Sequence, residues 1–169
     1  NAEQELLRAS EAAPENETLL HIRASEHEGA QEFAKFEKLY LDLLNKKPDS
    51  LIAKKRLAEL YVLKGDLAKG WAYTHQIQKA QPGDTDAIYF YGRLHLAQKE
   101  WARAVGLFVL ATRDAPSFAF ARYYLGLAYL GSNNVEQAKI AFAKAKELSP
   151  LWLEPRVALA RLYLASGAY

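Results

Sequence analysis

Five prolines stand at one interval: Pro14, Pro48, Pro82, Pro116 and Pro150 are each 34 residues apart, and only Pro155 lies off the series. A proline ends a helix because it lacks the backbone N–H and disfavours helical geometry at the residue before it. A fixed interval of this size, with no insertion, marks a chain built from one repeated supersecondary unit. Taking each unit to end two residues after its proline gives complete units 17–50, 51–84, 85–118 and 119–152. Half units 1–16 and 153–169 flank them.

The other positions obey the same period. The eighth place of each unit carries Ala24, Ala58, Gly92, Gly126 and Ala160, and the eleventh carries His27, Tyr61, His95, Tyr129 and Tyr163. The twentieth carries Phe36, Gly70, Ala104 and Ala138, and the twenty-fourth Tyr40, Thr74, Phe108 and Phe142. Places 4, 7, 8 and 11 recur at the spacing of one α-helical face, and places 17, 20, 24 and 27 trace a second. Each unit is therefore two helices. Gly65-Asp66, Lys99-Glu100 and Asn133-Asn134 form the turns between them, Gly and Asn being suited to left-handed backbone. Small residues at places 8 and 20 admit close helix approach, and no strand pattern competes.

The stretch Tyr124 to Pro150, YLGLAYLGSNNVEQAKIAFAKAKELSP, resembles a tetratricopeptide repeat. Unit 85–118 is similar, with Tyr91-Gly92, Trp101, Ala104, Phe108, Ala111 and Pro116. Unit 51–84 departs at Gly70, Thr74 and Ile77. Unit 17–50 departs further, with Arg23 at an apolar place, Phe36 at an Ala place and Gly29-Ala30-Gln31 blurring the turn. The resemblance covers essentially the whole chain. It implies an all-α, right-handed α-solenoid of stacked helix-turn-helix repeats. Neither an arbitrary helical bundle nor the pentatricopeptide class of RNA readers suits the Gly/Ala–aromatic–Ala–Pro pattern.

Composition narrows the chemistry. The chain of 169 residues has 22 Lys+Arg against 20 Asp+Glu, no cysteine and no methionine. So close a charge balance argues against a nucleic-acid-binding arm, and the absence of Cys excludes disulfides and thiolate metal sites. No apolar run approaches the roughly 20 residues that span a bilayer. His21, His27, His75 and His95 show no metal-ligand spacing, and His27 and His95 fall on the packing place. No serine sits in a nucleophile turn and no phosphate loop is present. The expectation is a binding module without enzymatic activity, catalytic residues, cofactor or metal. Beginning at Asn1 without any methionine, the chain reads as a piece of a longer protein, with Asn1-Ala2 as the remnant of a cleaved tag.

In the family resembled, the first helix of each unit lines a concave wall that takes a peptide or protein segment. The places facing it give the candidate partner-binding residues Lys55, Arg56, Tyr89, Phe90, Arg93, Phe120, Tyr123, Tyr124 and Arg161. An apolar patch with a charged rim is the usual composition of an interaction site. The Lys/Asn clamp by which chaperone adaptors of the family hold a C-terminal carboxylate does not carry over: Lys55 fits, but Glu59 and Phe90 do not. Residues 1–50 hold 6 basic and 11 acidic side chains, residues 51–169 hold 16 and 9, an asymmetry that would steer an acidic partner towards the C-terminal groove. The last three units resemble those of long bacterial repeat proteins, including lipoproteins encoded with exopolysaccharide and protein-sorting systems. Two other functions fit the sequence: a non-catalytic, substrate-guiding arm of a larger enzyme such as a glycosyltransferase, and a self-associating array. The apolar run Val157–Leu164, without the second helix expected to cover it, leads to an expectation of self-association through residues 153–169 as an artefact of truncation rather than as biology.

Overall fold

The computed structural model describes residues 29–167, with side chains from residue 33 onward. The half unit 1–16, the first helix expected after it, His21 and His27 lie outside the described residues. Eight helices follow one another among them: α1 (Gly29–Lys46), α2 (Leu51–Lys64), α3 (Leu67–Ala80), α4 (Thr85–Ala97), α5 (Trp101–Asp114), α6 (Ala119–Gly131), α7 (Val135–Leu148) and α8 (Leu153–Ala165). No described residue is in a strand. Helices α1, α3, α5 and α7 each end two residues before a proline of the 34-residue series.

The turns show why the period holds. Gly65, Lys99, Asn133 and Gly167, also 34 residues apart, all adopt left-handed backbone, at φ 74°, 60°, 59° and 67°. One conformation, repeated, follows the first helix of each unit and redirects the chain. Helix starts are capped by side chains: Ser50 accepts from the amide of Ala53, Asp66 from Lys69, Asp84 from Ala87 and Asn134 from Gln137, at 3.0–3.3 Å. Such caps satisfy amides that have no intrahelical partner.

Each helix packs on the next in sequence. Contacts between second neighbours run from α2 to α4 and from α4 to α6. Both are pairs of first helices, which therefore stand closer to one another than the second helices do and form the inner wall of the curve.

The core trades volume between two places. In the pairs α4–α5 and α6–α7, place 8 is glycine and place 24 phenylalanine: an added Cβ on Gly92 would lie 2.6 Å from Phe108 Cε1, and on Gly126 2.5 Å from Phe142 Cε1. Both phenylalanines are fully buried. In α2–α3 the trade is reversed, with Ala58 at place 8 and Thr74 at place 24, both also fully buried. Thr74 satisfies its hydroxyl by donating to the Gly70 carbonyl at 2.7 Å. The departures of unit 51–84 from the repeat pattern are thus compensated within the pair. Tyr73 then fills the inter-helix space by stacking on Tyr61 at 5.6 Å between ring centroids.

Candidate partner-binding groove

The inner wall is built from α2, α4, α6 and α8. Two hollows open along it, of about 450 Å³ and 320 Å³. The first lies among Val62, Arg93, Leu96, Trp101, Tyr124, Leu127 and Gly131. The second lies among Tyr123, Leu127, Leu130, Leu153, Glu154, Val157, Arg161 and Leu162. Leu127 belongs to both, so they adjoin as one discontinuous groove.

The nine candidate residues separate into three groups. Tyr89, Phe90 and Phe120 are 2%, 5% and 7% exposed, which corrects the expectation that they offer surface to a ligand. Their rings are interior packing between units: Tyr89 meets Phe118 at 4.8 Å, and Phe120 meets Trp152 at 4.4 Å. Both partners stand at the last place of a unit, where the chain passes from one repeat to the next. The sequence signal was present, in the aromatic residue that follows Pro116 and Pro150 by two.

Lys55 and Arg56 are held by acids of the protein itself. Lys55 Nζ lies 2.7 Å from Asp84 Oδ2 and 2.7 Å from Asp86 Oδ2, so it ties α2 to the start of α4. Arg56 is bonded to Glu59 at 3.1 Å. Burial pushes the Glu59 carboxyl up from its ordinary range, against the pull of the Arg56 and Arg93 charges. Lys55 is raised despite burial, through its hydrogen bonds to the two aspartates.

Arg93, Tyr123, Tyr124 and Arg161 do line the hollows. Arg93 Nη1 donates to the Tyr89 hydroxyl at 3.2 Å, and its guanidinium stands 4.1 Å above the centre of the Tyr124 ring. Burial raises the Tyr89 phenol well above its ordinary value, so it stays a neutral acceptor at physiological pH. Tyr123 faces the second hollow with its ring against Trp152 and Phe142, at 4.8 and 5.4 Å. Arg161 is exposed on the far side of that hollow.

Trp101, on the second helix α5, reaches the first hollow although only first-helix places were expected to line it. It does so because Gly131 has no side chain: a Cβ there would collide with Trp101 Cδ2. A glycine in the last helical turn, one interval after Ala97 and two after Leu63, was the available signal. His95, expected as a packing residue, is partly buried edge-on against Trp71 at 5.1 Å. It also meets Glu100 Oε2 through Nδ1 at 2.6 Å, joining α4 to the start of α5. Among the described residues no group of three or more His, Asp or Glu is placed to hold a metal ion. No described helix is long and apolar enough to cross a membrane.

No protein-family model matches the chain, and no curated protein matches its sequence. Solved structures match its fold. A thermophilic TPR protein of Thermus thermophilus, TTC0263, is 19% identical with a TM-score of 0.74, over 98% of this chain and 84% of that one. MamA from Desulfovibrio magneticus RS-1 is 19% identical with a TM-score of 0.64, over 89% and 85%. An O-GlcNAc transferase of Thermobaculum terrenum is 23% identical with a TM-score of 0.66, over 70% of this chain and only 23% of that one. With the helix pairs, the shared left-handed turns and the glycine–phenylalanine contacts, these matches give the chain the fold of the tetratricopeptide-repeat α-solenoids.

Proposed function

We propose that the chain is a protein–protein interaction scaffold that holds a peptide or protein segment along the wall formed by α2, α4, α6 and α8. The observation that carries this reading is the pair of adjoining hollows with a largely apolar lining. Concave apolar surface with a few polar groups is the usual form of a recognition site. In this reading the units 51–84, 85–118 and 119–152 act as one domain with unit 17–50 and the terminal half units. The binding surface is Arg93, Tyr123, Tyr124 and Arg161, with Lys55 and Arg56 shaping it from behind.

Selection of binders from a random-peptide display library tests the proposal. Binders should protect amides of α4, α6 and α8 from hydrogen exchange, and Val157→Glu, at an exposed position of the second hollow, should abolish binding while the helical spectrum is kept. Binders that protect only α3, α5 and α7 would refute it. The O-GlcNAc transferase match supports a second reading, a substrate-guiding arm of a larger enzyme, which a catalytic domain in the complete gene would establish. Exposed Leu153, Val157, Tyr163 and Leu164 support self-association through α8, tested by sedimentation below.

A further inference from the structure

The first hollow contains one charge. Of the residues that line it, only Arg93 is ionised; the rest are Val62, Leu96, Ala97, Trp101, Tyr124, Leu127 and Gly131. Among the described residues no carboxylate pairs with Arg93: its contacts are the Tyr89 hydroxyl and the faces of Tyr89 and Tyr124. Glu59, the nearby acid whose charge it feels, is bonded to Arg56. Lys55 is already matched by two aspartates. A guanidinium in an apolar setting without a carboxylate is costly to keep, and Arg forms its strongest hydrogen bonds as a two-pronged donor to carboxylates. Arg93 is also held in place: one nitrogen is fixed by Tyr89 and its plane lies over Tyr124, so little freedom is left to lose on binding.

We propose that Arg93 recognises the side-chain carboxylate of an Asp or Glu within a peptide ligand, with an apolar neighbour of that residue seated against Leu96, Trp101 and Leu127. The proposal rests on the groove reading above and names its partner chemistry. An internal acid is favoured over a chain terminus because the groove does not end at Arg93: it continues past Leu127 into the second hollow, so a bound chain runs on. A single guanidinium with one nitrogen already committed also offers too few donors for a terminal carboxylate together with its neighbouring peptide groups.

The experiment uses short peptides, acetylated and amidated at their ends, rich in Leu and Phe and carrying one Glu, each paired with its Gln analogue. Binding to the whole chain is measured by fluorescence anisotropy. The Glu peptides should bind about 10- to 100-fold more tightly than their Gln partners, the usual worth of a hydrogen bond to a charged group. Arg93→Gln should remove that preference and Arg93→Lys should keep part of it. Arg161→Gln, which removes the other cation of the groove, should leave the preference intact and a preference lost there would overturn the role of Arg93, so the proposal stays testable if either Arg93 variant fails to fold. Equal binding of Glu and Gln peptides, still abolished by Val157→Glu, overturns the role of Arg93 and leaves the groove standing. Binding that requires a free C-terminal carboxylate overturns the internal-acid assignment. Absence of any binding sensitive to Val157→Glu overturns both readings.

Discussion

Gly126→Ala places one methyl group at the tightest contact of the α6–α7 pair. The new Cβ would stand 2.5, 2.7 and 2.9 Å from Phe142 Cε1, Cδ1 and Cζ, where ordinary contact begins at 3.4 Å. The ring must therefore retreat by about 1 Å, or α6 must lift from α7; interiors packed to crystal density resist both. Phe142 is fully buried, with Tyr123 against it at 5.4 Å, so no open space receives the displaced ring. Overpacking of this kind costs about 1–3 kcal/mol. It is partly masked by helix propensity, since replacing Gly by Ala in a helix interior gains up to about 1 kcal/mol. Gly106→Ala separates the two effects. Gly106 is exposed in α5 and a Cβ there meets nothing within 4 Å, so this variant shows propensity alone. In urea denaturation Gly106→Ala should be stabilised, and Gly126→Ala should fall below it by about 1–3 kcal/mol. Gly126→Leu should be worse still. If both alanine variants gain equally, the glycine–phenylalanine contact is not what sets the spacing of the pair.

Four further outcomes follow from particular side chains. Lys99→Gly should stabilise the chain by about 1 kcal/mol, because Lys99 holds φ at 60° and left-handed backbone costs a side-chain-bearing residue about 1–2 kcal/mol; no change in the melting midpoint would count against strain at this turn. Asp84→Ala removes both the cap on Ala87 and one anion on Lys55, and should cost about 1–2 kcal/mol by chemical denaturation; its effect and that of Lys55→Ala should be less than additive in a double-mutant cycle. Glu37 is held below the usual carboxylate range by its hydrogen bonds to Lys64 and Tyr61. Its contribution is present above its unfolded-state value and is lost as pH falls through the folded one, so acid should weaken the α1–α2 junction, and Glu37→Gln should flatten that part of the acid profile. Sedimentation velocity across a concentration series should show association that Leu164→Glu removes; a concentration-independent coefficient would reject self-association through α8.

Fold and site were unequally legible, and the reason is physical. The helix pairs, their ends and their turns depend on positions that recur along the array: a proline that stops a helix, a small residue where helices touch, and a turn residue at φ near 60°, which is Gly or Asn at every described turn but that of Lys99. Period exposes such positions without any coordinates. The groove depends instead on whether a residue of the inner helix points along the wall or between two units, and that is decided by what the neighbouring unit brings. Tyr89, Phe90 and Phe120 sit at wall-facing places by count, yet Phe118 and Trp152, supplied by the junctions before the next helix, draw Tyr89 and Phe120 into the interior. Lys55 reads as a free cation only until Asp84 and Asp86, thirty residues along the chain, are folded back onto it.

This solenoid is individual along its inner wall. Place 8, which touches the helix behind, is small wherever it is described: Ala58, Gly92, Gly126 and Ala160. Place 9, one residue on and turned to the inner wall, is Glu59, Arg93, Leu127 and Arg161. One helix step thus separates a position fixed by packing from one whose chemistry changes along the array. Stacking constrains only the faces that neighbours share, so inner-wall positions can change without disturbing the array. Along the wall they run from a buried acid bonded to Arg56, through a cation with no carboxylate partner among the described residues, to an apolar lip between two hollows and an exposed cation beyond. A ligand that complements this order would have an acidic group at Arg93 and apolar groups on either side of Leu127, so Arg93→Glu should reverse the charge selected there while leaving the apolar positions of the ligand unchanged. Peptide selection repeated on that variant reads the outcome directly. Unchanged selection of acidic peptides would mean that the cation at place 9 does not face the ligand, and a lost apolar preference would mean that the substitution had disturbed the repeat itself.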